Sequence, residues 1–143
     1  MKIKQLSVFI ENKEGRLKKT INTLVKADIN IRALSIADTS KFGILRLIVS
    51  DFKKAKNILE EDGFVVKETD VIAVEIPDET NGLGSVLTIL DKEEVNLEYL
   101  YAFVSKQSHQ AIVVFRVQNI EKSIKLLKNE NLKLLNQKDL EEF

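Results

Sequence analysis

The chain has 143 residues, 44% hydrophobic and 31% charged, with 22 Lys/Arg against 22 Asp/Glu and a formal net charge of zero. That is a globular balance, enough for one ordinary domain or two very small ones, and a neutral chain offers no surplus of cations for a nucleic-acid partner. The absence of Cys excludes disulfides, thiolate metal sites and a thiol nucleophile, and no apolar run approaches the ~18 residues of a membrane span.

"IKQLSVFI" (3–10) opens the chain as a strand. The N-terminus lacks the layout of a signal peptide, so the expectation is a cytoplasmic protein with no membrane partner. Four polar residues follow, Glu11 to Glu14, and then Gly15, one of only five glycines. A helix is expected from Arg16 or Leu17, with its apolar face at Leu17, Ile21, Leu24, Val25 and Ala27. "INIRALSIA" (29–37) and "ILRLIVS" (44–50) read as strands joined by a turn at "DTSKFG". Asp51 is suited to cap a second helix carrying Phe52, Ala55, Ile58 and Leu59, and Gly63 is suited to stop it. "FVVKETDVIAVEI" (64–76) then runs almost unbroken from one strand into the next.

The remaining half repeats the first. "LVKADINIRAL" (24–34) aligns with "LDKEEVNLEYL" (90–100) at an offset of 66, pairing Leu24 with Leu90, Asn30 with Asn96 and Leu34 with Leu100. "GILRLIVSDFKKAKNILEEDGFVV" (43–66) aligns with "AIVVFRVQNIEKSIKLLKNENLKL" (111–134) at an offset of 68. The change of offset falls at a hairpin tip, where two extra residues are easily accommodated. The chain is therefore read as two β-α-β-β-α-β units, residues 1–68 and 69–143. That order is the split βαβ of ferredoxin-like α+β folds. The two units are expected to pack as an intramolecular pseudo-dimer with antiparallel sheets. Residues 1–70 carry 14 Lys/Arg and 10 Asp/Glu and residues 71–143 carry 8 and 12, either by chance or because two oppositely charged halves meet face to edge and steer their association modestly.

Few residues are equipped for chemistry. His109 is the sole histidine and falls in the longer hairpin of the second copy, where a plain loop residue is the simpler reading. The acidic residues at 60–62 and 93–94 read as solvated helix ends, so neither a metal nor a cofactor is expected. "GLGS" (82–85) opens a helix but lacks both the third glycine of a dinucleotide fingerprint and the lysine of a P-loop. An RNA-binding module of this element order needs exposed aromatics on its central strands, which "GILRLIV" lacks. Tyr99 and Tyr101, two apart on a strand, share a face, either as packing or as the wall of a small pocket.

The turn after the first strand is better equipped. Gly15 before a helix permits a sharp turn that exposes N–H groups at the positive end of the helix dipole, a setting suited to a carboxylate. Asn12 donates and accepts hydrogen bonds, and Glu11 or Glu14 offers a partner for an ammonium; together these suit an α-amino acid. The plainer alternative is that Asn12 closes an Asx-turn and the acids are solvated.

On "ENKEGRL" (11–17), "ADINI" (27–31), "PDETNGLG" (77–84) and "EEVNL" (93–97), the chain resembles the ACT domain, a small-molecule-sensing βαββαβ module, twice over and across essentially its whole length. It is similar to the free-standing tandem ACT proteins of prokaryotes. The resemblance implies a non-enzymatic regulatory protein that binds an amino acid where one unit's β1–α1 loop meets the neighbouring unit. Carried over, the loop residues are Glu11, Asn12, Gly15, Arg16 and Leu17. Asn30 and Asn96 match an asparagine that opens the second strand in serine-binding members. The implied sites set Asn12 against Asn96 with Tyr99 or Tyr101, and Asp78 and Leu83 against Asn30.

The second copy departs from the pattern, with Asn81 at the glycine position, Gly82 one later and Asp78 in place of Asn12, so the first loop is expected to bind better. The first copy departs too, with Glu14 where many members have proline. The alternative implied by the family is a regulatory subunit of a biosynthetic enzyme such as acetolactate synthase, although "NQKDLEEF" is too short for the extra C-terminal domain those subunits carry. An acylphosphatase-like hydrolase would use Arg16 to cradle phosphate, but Glu11 and Glu14 would repel it. An enzyme partner and a homodimer through exposed sheet edges are the remaining expectations.

Overall fold

The structure is a computed structural model of the chain and describes residues 1–38, 40–104 and 110–141. It divides into two compact units. One is Lys4–Thr69; the other is Met1–Ile3 together with the chain from Asp70 onward.

In the first unit, β1 (Ile3–Glu11) alternates so that Leu6, Val8 and Ile10 share one buried face. It pairs antiparallel with β3 (Phe42–Val49), which pairs antiparallel with β2 (Ile31–Asp38). The strand order is β2-β3-β1, with β4 (Val65–Pro77) next after β1. Helices α1 (Arg16–Lys26) and α2 (Phe52–Glu61) close the core, in which Leu24, Ala55 and Leu59 meet Leu6, Val8, Leu45 and Leu47. Burying a leucine fully is worth about 1.5–3 kcal/mol, so these positions dominate the unit's stability. The face of α1 differs from the expected one. Its buried residues are Thr20 and Leu24, with Ala27 packed at the core margin, whereas Leu17 and Val25 are exposed. Thr20 is tolerated inside because its hydroxyl donates to the Arg16 carbonyl at 3.0 Å.

The second unit repeats the plan. The chain enters it inside β4, a single 13-residue strand, as the unbroken run at 64–76 anticipated. There β4 lies between β6 (Gln110–Val117) and the short β7 (Lys133–Leu135), and β5 (Leu97–Val104) flanks β6. Helices α3 (Gly82–Lys92) and α4 (Ile120–Asn129) cover Ile72, Val74, Val113 and Phe115. Each unit is thus a βαββαβ fold with an antiparallel sheet, as the repeat predicted. A fifth helix, α5 (Gln137–Glu141), was not anticipated in "NQKDLEEF". Asn136 opens it with a capping box: its Oδ1 accepts from the Lys138 and Asp139 amides at 2.9 and 3.1 Å, and Asp139 Oδ2 accepts from the Asn136 amide at 2.7 Å. Leu140 is buried as a result.

The repeat is also legible at the helix ends. Asp51 and Asn119, 68 apart, cap α2 and α4 by accepting from the Lys54 and Lys122 amides at 3.0 and 3.1 Å. The first four helices are each followed by a left-handed residue: Asp28 (φ 56°), Gly63 (φ 91°), Glu94 (φ 52°) and Asn131 (φ 57°). In each case the next amide reaches back to the last turn, as Ile29 does to the Leu24 carbonyl and Val95 to the Leu90 carbonyl, both at 3.0 Å. These are Schellman ends.

Candidate functional site

The turn between β1 and α1 is built around its backbone. The Asn12 amide donates to the Lys41 carbonyl at 3.0 Å, tying the turn to the start of β3. The Lys13 amide folds back on the Glu11 carbonyl at 2.8 Å. Gly15 is the residue before the helix and is left-handed (φ 80°, ψ −10°), with open space where a side chain would stand. No side chain caps α1. The Arg16 amide is used by the Lys13 carbonyl and the Lys19 amide by the Gly15 carbonyl. That leaves the Leu17 and Lys18 amides, the second and third of the helix, without an acceptor among the described residues.

The charges around this end favour an anion. The first turn of α1 contains no acid. Glu11 is engaged by Lys13 at 2.9 Å and lies 3.8 Å from Arg16; the Lys13 hydrogen bond, then its charge and that of Arg16, hold the carboxyl below the usual carboxylate range. Glu14 is exposed and in no ion pair among the described residues. The Asn12 side chain is exposed and makes no hydrogen bond among them, so the Asx-turn alternative is not what the turn uses. Beside Gly15 runs a shallow groove of about 330 Å³ lined by Lys18, Lys19, Asn22, Thr23, Lys26 and Asp62. Asp62 accepts from the Thr23 hydroxyl at 2.6 Å, and Lys19 lies 5.4 Å from the Phe64 ring centre. Lys18 was not among the residues singled out from the sequence; the acid-free run "RLKKT" after Gly15 was the available signal.

The equivalent turn of the second unit has another construction. Asn81 precedes α3 with φ −106° and makes no side-chain cap. Gly82 is the first helical residue, and a Cβ there would lie 2.2 Å from the Pro77 carbonyl oxygen. The glycine is therefore required by a close approach, not by a left-handed backbone. A Cβ on Gly84 would lie 2.7 Å from Asn81 Oδ1, so the Asn81 side chain lies against the first turn of α3. Asp78 is exposed in this turn, and Leu83 packs against the unit's core.

Asn30 and Asn96 occupy equivalent exposed positions just before β2 and β5. The Asn30 carbonyl accepts from the Ser50 amide at 2.9 Å, and the Asn96 carbonyl from the Gln118 amide at 3.1 Å. Tyr99 and Tyr101 are half-buried and stand opposite Arg116 and Val114 in the β5–β6 register, so they share a face. Arg116 is fixed by Glu98 at 3.2 Å and by the Asp70 carbonyl at 2.9 Å. His109 lies outside the described residues. Among the described residues no group of three or more His, Asp or Glu could hold a metal ion, and no helix is long and apolar enough to cross a membrane.

No curated protein matches the chain. Among solved structures, a Bacteroides thetaiotaomicron protein is similar at 43% identity and a TM-score of 0.95, over 100% of this chain and 98% of its own. The regulatory subunits of aspartate kinase from Thermus thermophilus and Thermus flavus share the fold, each with a TM-score of 0.63, at 12% and 16% identity. They cover 88% and 87% of this chain, and the match spans 90% and 88% of theirs. The ACT domain pair family matches residues 1–143, and the chain belongs to it.

Proposed function

We propose that the chain is a non-enzymatic regulatory protein that binds a free amino acid at the β1–α1 turn of its first unit. The observation that carries this reading is the left-handed Gly15, which leaves the Leu17 and Lys18 amides open beside an acid-free helix start. The α-carboxylate is received by those amides, with the Lys18 ammonium close by. Glu14, outside any ion pair among the described residues, takes the ammonium, and Asn12 bridges the two charged groups. The second turn, with Asp78 nearby and Asn81 against the first turn of its helix, is the weaker of the two. The common fold with aspartate kinase regulatory subunits supports a role in controlling an enzyme, with ligand occupancy biasing the chain between states that its partner distinguishes.

The test is a thermal-shift screen against the twenty amino acids. A ligand that binds only the folded chain stabilises it by about 2.7 kcal/mol at a hundred times its dissociation constant. One or a few amino acids are expected to raise the melting temperature, and Asn12→Ala to abolish most of that rise. No shift with any of the twenty would refute amino-acid binding, and an undiminished shift in Asn12→Ala would move the site away from this turn.

A further inference from the structure

Helix α1, RLKKTINTLVK, carries Arg16, Lys18, Lys19 and Lys26 and no acid along its 11 residues. Lys26 stands in the last turn, where the helix dipole favours a cation. The other three stand at the start of the helix, where the dipole opposes them, so their placement costs the helix stability. Lys18 and Lys26 enter no ion pair or side-chain hydrogen bond among the described residues. A solvated helix face usually sets opposite charges at i and i+4, and this one leaves its cations uncompensated.

The cations line a trough. Lys18, Asn22 and Lys26 are exposed and four apart, so they form one ridge, with about 12 Å of helix axis between its two lysines. Beside the ridge lies the groove of about 330 Å³ that starts at Gly15, and then a second of about 370 Å³ reaching Ala27, Ile58 and Glu61. The two share Thr23, Lys26 and Asp62 and so run on from one another between α1 and α2. Ala27 and Ile58 give the second an apolar lining.

The charge pattern names the occupant. The ridge is longer than a free amino acid, which meets one of its lysines at a time. In an extended polypeptide, residues four apart are separated by about 13 Å, so two acids at that spacing reach Lys18 and Lys26 together. The opposite wall sets a limit. Glu61 is exposed and in no ion pair among the described residues, and Asp62 accepts from Thr23. A nucleic acid brings a charge with every phosphate and would press several of them against these acids, whereas a protein segment with spaced acids does not.

The second unit lacks the feature. Positions equivalent to Lys18, Lys19 and Asn22 are Gly84, Ser85 and Thr88, and α3 holds one acid, Asp91, beside its one cation, Lys92. The basic trough is thus a property of one unit and not of the repeat. We propose that it docks an acidic segment of a partner protein. The proposal is independent of what the β1–α1 turn binds.

Fluorescence anisotropy of the full chain tests this with a labelled serine peptide carrying glutamate at every fourth position. The peptide should bind saturably at low salt and be released as salt rises. Asn22→Glu combined with Lys26→Glu should weaken binding by about tenfold or more, because each replacement sets a like charge against the peptide. Both residues are exposed and outside any ion pair among the described residues, so circular dichroism should be unchanged. Lys26→Gln should give a smaller loss in the same direction. Lys92→Glu, the matching change in the second unit, should leave binding as it is. No binding of the peptide, wild-type affinity in the Asn22→Glu, Lys26→Glu variant, an equal loss in Lys92→Glu, or tighter binding of an oligothymidylate of the same length would each overturn the proposal.

Discussion

The Lys54 ammonium donates to the Ala27 backbone carbonyl at 2.7 Å, and Lys122 does the same to the Glu93 carbonyl at 2.8 Å. Each lysine sits in the first turn of the unit's second helix and closes the C-terminal end of its first, where the dipole favours a cation. Both contacts are exposed, so each is worth modestly little, about 0.5–1 kcal/mol. Lys54→Met and Lys122→Met should each lower stability by that amount in urea unfolding, and added salt should shrink the difference.

Glu94 is left-handed at φ 52° with nothing in its side chain to favour it. A non-glycine residue pays roughly 1–2 kcal/mol for that conformation, while glycine loses about 0.5–1 kcal/mol more chain entropy on folding. Glu94→Gly should therefore raise stability by about 0.5–1 kcal/mol. Asp28→Gly should gain less, since Asp tolerates this region better. Gly63→Ala, the reverse change at φ 91°, should lose about 1 kcal/mol. Melting temperatures of the three variants check the ranking.

The two turn glycines should respond differently to the same substitution. Gly82→Ala drives a Cβ into the Pro77 carbonyl and should cost about 1–3 kcal/mol, with Gly82→Asn worse than Gly82→Ala. Gly15→Ala meets open space and pays only for its φ of 80°, about 1–2 kcal/mol, and Gly15→Asn should recover part of that. Equal costs for Ala and Asn at residue 15 would contradict a purely conformational role for Gly15.

Lys2 and Glu121 form an exposed ion pair that links the N-terminal residues to α4. Their hydrogen bond, and then their mutual charge, hold Glu121 below the usual carboxylate range and Lys2 above the usual lysine range. Glu121 has a folded value below its unfolded one, so its contribution is present at neutral pH and lost as pH falls through the carboxylate range. Lys2 has a folded value above its unfolded one, so its contribution holds below the lysine range and is lost as pH rises through it. An NMR titration should find the Glu121 carboxyl returning upward in Lys2→Met, with a shallower acid limb in the stability curve.

Much of the fold could be read because the two copies check one another. Asp51 and Asn119 cap equivalent helices, and Asn30 and Asn96 open equivalent strands, so a weak signal in one half was doubled by the other. The apolar face of α1 was misread because Leu17 and Val25 keep helical spacing while lying on a flank that no element of the unit covers. The short α5 escaped notice because five residues carry too little periodicity, although Asn136 and Asp139 held the capping-box spacing. At the turn, the sequence revealed Gly15 but not why Gly82 is glycine, since its reason is a carbonyl oxygen five residues earlier in the chain.

Met1–Ile3 belongs to the unit that otherwise begins at Asp70, with Ile3 fully buried and Lys2 paired to Glu121. During synthesis, β1 through α2 can assemble as soon as their own residues exist, but the segment ahead of them must wait for α4 before it finds its place. Residues 1–3 are thus held by a helix that follows them by the whole length of the first unit and more. Severing it between Thr69 and Asp70 would divide β4 and strip the second unit of a buried isoleucine, so neither fragment would be a faithful half.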